Sequence, residues 1–196
     1  MTNASGPLTG IRVVDLTTAV SGPVAAVILA DQGADVIKIE PPGGDFMRAA
    51  GPKSGMNPTF VACNRGKRSI VLDLKQQGAA EILWRLIESA DVLIQNFRPG
   101  AIERLGFGAS TVAARNPRLV YLSISGVGES GPYSGKRVYD PIIQALGGLA
   151  DIQADPQTGR PRMVRTLIAD KTTAVYAAQA VVAALFSRER TGVGQH

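Results

Sequence analysis

Short runs of Val, Ile and Leu recur along the chain, separated by longer stretches in which apolar residues return at helical spacing. Gly10-Ile-Arg-Val-Val-Asp15 predicts a strand, and Val24 to Gly33 a helix of small apolar residues. Asp35-Val-Ile-Lys-Ile-Glu40 predicts a second strand, closed by Pro41-Pro-Gly-Gly44. Strand, helix and strand in so short a stretch form a βαβ unit, whose right-handed crossover makes the two strands parallel. A loop rich in Gly, Pro and Met follows from Asp45 to Phe60, long enough to suspect function.

The alternation then continues. Ser69–Asp73, Asp91–Gln95 and Leu119–Ser125 predict three more strands. Between the first two of these lies an amphipathic helix, Gln76 to Ala90, with Ala80, Ile82, Leu83, Leu86 and Ile87 on its apolar side. Short helical stretches are expected near residues 101–105 and 110–115. Beyond Gly131 the pattern changes: a helix runs from Asp140 through Leu149, and 155–161 form a polar turn. The stretch from Lys171 to Phe186 is apolar nearly all round and predicts a central buried helix. The closing Gln195-His196 reads as the opening of another strand.

The fold class is therefore α/β: a Rossmann-like open, mostly parallel sheet with helices on both faces, followed by a long buried helix. It fills one unit from residue 10 to 196, behind a flexible N-terminus of residues 1–9. In such sheets ligands bind beyond the carboxyl ends of the strands. Those ends are Thr17–Pro23, Pro41–Asp45, Asn96–Gly100 and Gly126–Gly131. The first turn carries Ser21-Gly-Pro23 in place of G-x-G-x-x-G, so the dinucleotide fingerprint is absent.

Composition narrows the chemistry. At 196 residues and 45% hydrophobic content, the chain can bury one sizeable core. No run approaches the roughly 18 apolar residues of a membrane span, and Met1–Pro7 lacks the charged and apolar regions of a signal peptide. The setting read from this is cytoplasmic, with no membrane partner. One cysteine and one terminal histidine leave no Cys-His pair, Ser-His-Asp triad or usual metal site, so no metal is expected. Acid–base or nucleophilic work falls to carboxylates, lysines or tyrosines. The net charge of +5 is modest but dispersed over Arg65, Lys67, Arg68, Lys75, Arg98, Arg104, Lys136 and Arg137. Basic residues at several loops can converge on one polyanion, although each alone is ordinary surface charge. With aromatic residues at 5%, stacking platforms for nucleic acid are not expected.

Asp170 stands where a short apolar segment, Thr166–Ala169, runs into the apolar helix. It reads either as an ordinary N-cap to Thr172 or Thr173, or as a reactive carboxylate held ionised, its pKa lowered, by the helix N-terminus. Asp140, behind Tyr139, carries the same two readings. Asn96-Phe97 beside Arg98 can hold a purine, or simply form a turn. Lys75 at a helix start runs against the dipole, which a ligand phosphate would relieve. Cys63 reads as a small buried apolar residue.

Several collinear stretches together resemble the class III CoA-transferases of the CaiB/BaiF family, which is related to the α-methylacyl-CoA racemases. They are Val14–Thr17 with Ser21-Gly-Pro23, Gly33–Glu40, Asn64–Lys75, Asn96-Phe-Arg-Pro-Gly100 and Thr191-Gly-Val-Gly-Gln195. The resemblance implies an intertwined homodimer of ring-like subunits, each with a Rossmann-like large domain and a smaller one. It makes this chain the N-terminal half, without the small domain and the closing segment of the large one. Asp170 falls at the family's catalytic aspartate. There it would attack an acyl-CoA thioester, passing through an aspartyl anhydride and an aspartyl-CoA thioester before a carboxylic acid acceptor takes the CoA.

Coenzyme A contacts carry over to Ala19, Val20, Leu72, Lys75, Asn96, Phe97, Arg104 and Arg137. The chain departs from family patterns at Val20, where formyl-CoA transferase-like members carry Gln, and at Pro41, where some carry an Arg. Tyr139 stands where racemases commonly carry a histidine, which places transfer ahead of racemisation with Asp170 as acid–base. A third reading is a CoA-binding fragment without activity.

Overall fold

The computed structural model describes residues 5–50 and 57–196 of the protein. Five strands, β1 (Arg12–Asp15), β2 (Asp35–Glu40), β3 (Arg68–Val71), β4 (Val92–Gln95) and β5 (Val120–Ser123), form one sheet in the order β3-β2-β1-β4-β5. Every pairing is parallel, with Val13 opposite Val36 on one side and Val92 on the other. The connections are helical. α1 (Ser21–Asp31) links β1 to β2, α2 (Pro58–Asn64) lies between β2 and β3, and α3 (Gln77–Glu88) leads to β4. α4 (Ala101–Arg104) and α5 (Ala109–Arg115) lead to β5; then come α6 (Asp140–Leu146), α7 (Leu149–Ile152) and α8 (Ile168–Thr191).

Period-two alternation builds two cores from the same strands. Val13, Val36, Val92, Ile94 and Val120 pack with Ala26 and Leu29 of α1 and Ala178, Val181 and Leu185 of α8. Val14, Ile37, Ile39, Leu93 and Tyr121 face the opposite way, onto Leu83 and Ile87 of α3, Ile102, Phe107 and Val112. The expected two-faced parallel sheet is thus present, and its strand order reverses between β1 and β4.

Four expectations need correction. α8 is buried along one face only, by α1 and the sheet, whereas Val175, Phe186 and Tyr176 (70% exposed) face outward. An all-apolar composition shows that a helix can be buried on every side, but only neighbours bury it. Ile82 is 42% exposed, because α3 turns its Leu83–Ile87 stripe to the sheet. The predicted loop from Asp45 contains a 3-10 turn, Phe46–Arg48, and α2, started by Asn57, whose side chain accepts from Thr59 N, and by Pro58. Residues 51–56 of that loop lie outside the described residues. The N-terminal stretch expected to be flexible is anchored from residue 6 onward: Leu8 is buried and its N–H donates to Gln32 O at 2.9 Å. Residues 1–4 also lie outside the described residues.

The end of the chain meets the sheet edge. Tyr121 N donates to Gln195 O at 2.8 Å, and Ser123 Oγ lies 2.8 Å from His196 Nε2, so the residues read as a strand opening lie beside β5.

Candidate active site

A cavity of about 330 Å³ opens at the carboxyl ends of β1 and β4, where the strand order reverses. Ligands of open α/β sheets bind at this place, because adjacent loops there diverge to opposite faces. Thr18, Ala19 and Ser21 line it after β1, Asn96–Pro99 after β4, and Ile124–Val127 after β5. Lys136–Asp140, on the segment that enters α6, and Ala169, Asp170 and Thr173 of α8 close it.

The loop after β1 is held from below by buried charge. Asp15 Oδ1 accepts from Thr17 N at 2.9 Å and from the Thr17 hydroxyl, while its Oδ2 meets Lys67 Nζ at 2.7 Å. Lys67 Nζ also donates to Pro23 O and Asn64 Oδ1, so its three protons are used. Burial presses Lys67 below the usual lysine range against the pull of Asp15. Lys38 Nζ donates to Thr17 O at 2.8 Å and pairs with Asp45 Oδ2 at 3.0 Å, an ion contact without hydrogen-bond alignment at that oxygen. On this base Ala19 adopts φ of 67°, a left-handed conformation unusual for a residue with a Cβ. Gly22 allows the close approach: a Cβ there would sit 2.4 Å from Thr17 Cγ2.

Asn96 bridges the two loops. Thr18 N donates to Asn96 Oδ1 at 3.0 Å, and Asn96 Nδ2 donates to Thr18 O at 2.9 Å. Both ends of its amide are thus committed to the loop after β1. Phe97 lines the cavity and rests partly on the core beneath α3 and α4.

Asp170 is half-buried in the first turn of α8. It does not cap the helix: the cap position is Leu167, which makes no side-chain capping bond, and Asp170 lies inside the helix. The expected lowering of its pKa is also reversed. Burial and then the neighbouring Asp140 carboxylate raise its proton affinity, and a hydrogen bond from Ser21 only partly opposes them. Desolvation is the largest of these effects.

Of the residues expected at a CoA site, the cavity brings together Asp170, Ala19, Asn96, Phe97 and Arg137. Val20, at the cap position of α1, is buried, and Leu72 lies in the core; neither lines the cavity. Lys75 and Arg104 are exposed and also lie outside its lining. Sequence reasoning gave Ser21 no site role of its own and left Asp140 open between cap and reactive carboxylate; the clue to Asp140 was its place at a helix start beside Tyr139. Cys63 is buried, as expected, and burial pushes its thiol up. Among the described residues no group of His, Cys, Asp and Glu is arranged to hold a metal, and no helix is long and apolar enough to cross a membrane.

Residues 8–196 match the family model described as CoA-transferase family III. This chain belongs to that family. It is 44% identical to the acetyl-CoA:oxalate CoA-transferase of Acetobacter aceti, over 97% of this chain and 50% of the relative. It is 42% identical to the succinate–glutarate CoA-transferase of Agrobacterium fabrum, over 100% of this chain and 51% of the relative. The crystal structure of a CAIB/BAIF family protein from Brucella suis superposes with a TM-score of 0.94 at 40% identity, covering 98% of this chain and 52% of that one. The chain therefore spans about half the length of the curated relatives it matches, and as a CoA-transferase family member it presents the sheet-end cavity of the fold with one half-buried aspartate in it.

Proposed function

We propose that the protein moves CoA between an acyl-CoA and a carboxylic acid, with Asp170 as the nucleophile. The observation that carries this reading is Asp170 itself: a half-buried carboxylate of raised proton affinity in the strand-end cavity, whose lining also includes Arg98, Lys136 and Arg137. A desolvated carboxylate of higher proton affinity is the better nucleophile, and three cations suit a polyanionic ligand.

One Asp170 oxygen attacks the thioester carbonyl, the C–S bond breaks, and CoA leaves as the thiolate. The thiolate attacks the aspartyl carbonyl of the resulting anhydride, which expels the donor acid and leaves an aspartyl-CoA thioester. The acceptor carboxylate attacks that thioester, again releasing thiolate and forming a second anhydride. Attack of the thiolate on the acceptor's carbonyl then forms the new acyl-CoA and frees Asp170. Each step exchanges one activated acyl group for another.

Coenzyme A contacts at Ala19, Val20, Leu72, Lys75, Asn96, Phe97, Arg104 and Arg137 belong to this proposal, as do a cytoplasmic setting and an intertwined homodimer of a longer form. The outward apolar residues of α6 and α8, including Leu146, Tyr176 and Phe186, support the last point, since such a surface is normally covered. Racemisation with Asp170 as acid–base is the second reading, favoured by its raised proton affinity alone. The test is to incubate the protein with acetyl-CoA, trap with hydroxylamine or borohydride, and map the product by mass spectrometry. An adduct on Asp170 that disappears in Asp170→Ala is expected. CoA binding without any adduct, together with deuterium wash-in α to the thioester, would sink transfer and leave racemisation.

A further inference from the structure

The first turn of α8 poses an accounting problem. Helix N-termini leave backbone N–H groups without intrahelical partners, and a cap side chain normally takes one. α8 has no such cap of its own. The acceptor comes from another helix instead: Asp140 Oδ2, on α6, takes the backbone N–H of Asp170 at 3.0 Å. Asp140 is only 3% exposed, and so is Gln144, one turn along the same helix. Asp140 Oδ1 accepts from Gln144 Nε2 at 2.5 Å. The Gln144 amide is fixed in turn, because its Oε1 accepts from Val164 N at 2.8 Å while Nε2 also reaches Thr166 O at 3.3 Å. One buried pair on α6 thus holds the segment entering α8 at three backbone positions, Val164, Thr166 and Asp170.

We propose that Asp140, oriented by Gln144, is the positioning residue of Asp170: it caps α8 from outside, so that the Asp170 carboxylate is free for chemistry while its backbone is fixed. This rests on the transfer reading for its consequence, though not for its geometry. The position demands a carboxylate. Both Asp140 oxygens accept, and Gln144 cannot turn over without facing its amide N–H groups to Val164 N; an Asn at 140 would therefore lose one of the two bonds. The Ser21 hydroxyl and the Cys63 thiol also act on the Asp170 carboxylate, and Arg98, Lys136 and Arg137 line the same cavity, so the influence of Asp140 must be isolated by substitution.

The experiment is NMR on the labelled protein, following the Asp170 carboxyl carbon and backbone amide against pH in wild type, Asp140→Asn and Asp140→Ala. In folded variants the Asp170 titration should move to lower pH and its amide proton upfield. With acetyl-CoA, the rate of Asp170 adduct formation should fall about 10²-fold while CoA affinity holds, because a misplaced nucleophile loses reaction rate rather than binding. If the variants do not fold, the wild-type amide proton of Asp170 still serves: bonded to a buried carboxylate, it should lie downfield and exchange slowly with solvent. An unmoved Asp170 titration in a folded variant, or a fast-exchanging wild-type amide at Asp170, overturns the proposal. NMR coupling without any wild-type adduct would keep the positioning contact and remove only the transfer reading.

Discussion

Glu40 ends β2 and carries the loop whose Phe46 lines the cavity, so replacing it tests how the site is braced. Its buried carboxylate accepts from Arg48 Nε and Nη2, both at 2.7 Å, from Asp45 N at 2.8 Å and from the Ser69 hydroxyl. The paired Arg48 bonds are the main reason its pKa falls from 4.5 to about 2, against the opposing effect of burial. At ~1.4 kcal/mol for each factor of ten in proton affinity, the ceiling on its contribution is about 3 kcal/mol. Arg48 is 39% exposed, so solvent screening brings the expectation to about 2 kcal/mol. The folded pKa is depressed, so this stability is fully present above pH 4.5 and is lost as pH falls towards 2. Glu40→Gln should therefore lower the urea-unfolding free energy by about 2 kcal/mol at pH 7, some 4–8 °C in Tm. The gap to wild type should close between pH 4.5 and the acid limit. An equal gap at pH 3 and pH 7, or none at pH 7, would refute the reasoning.

Two substitutions probe the loop after β1. Gly22→Ala places a Cβ 2.4 Å from Thr17 Cγ2, so Thr17 must leave its bond to Asp15; a loss of ~1–3 kcal/mol in chemical denaturation, with weaker CoA binding by calorimetry, is expected. Lys67→Met strands the Asp15 carboxylate, which is wholly buried, and should cost about 3–5 kcal/mol. The double variant with Asp15→Asn should recover part of that loss, and a strictly additive cycle would argue against the pairing.

The parallel sheet was legible because its central strands β1, β2 and β4 are buried on both faces, so apolar, β-branched runs mark them regardless of context. The two-residue alternation of Val13 with Val14, or Val92 with Leu93, then sends neighbours to opposite cores. What escaped was decided by neighbours remote in sequence. α2 is capped by Asn57, whose amide donates to Met47 O at 2.7 Å, a partner no local pattern discloses. The exposure of Tyr176 and Phe186 was likewise hidden, because an apolar helix looks the same with or without a cover. Within the site, Asn96 and Phe97 were found as a strand-end pair, but the reciprocal grip of Asn96 on Thr18 joins residues on different strands' loops.

Asp170 shows why the sequence left two readings open. Local rules make an acidic residue near a helix start a cap, and a cap spends its carboxylate on backbone donors. Here the capping acceptor is Asp140, thirty positions earlier in the chain. With that donor satisfied from outside, the Asp170 carboxylate need not turn back on its own helix, and it faces the cavity. The same Asp140 charge that fixes the backbone also raises the proton affinity of the side chain. Capping α8 and presenting a carboxylate to the cavity are therefore two roles held by two aspartates, Asp140 and Asp170, rather than alternatives for one. The helix dipole on its own argues for a strongly acidic group, whereas burial and the like charge of Asp140 raise the proton affinity of Asp170.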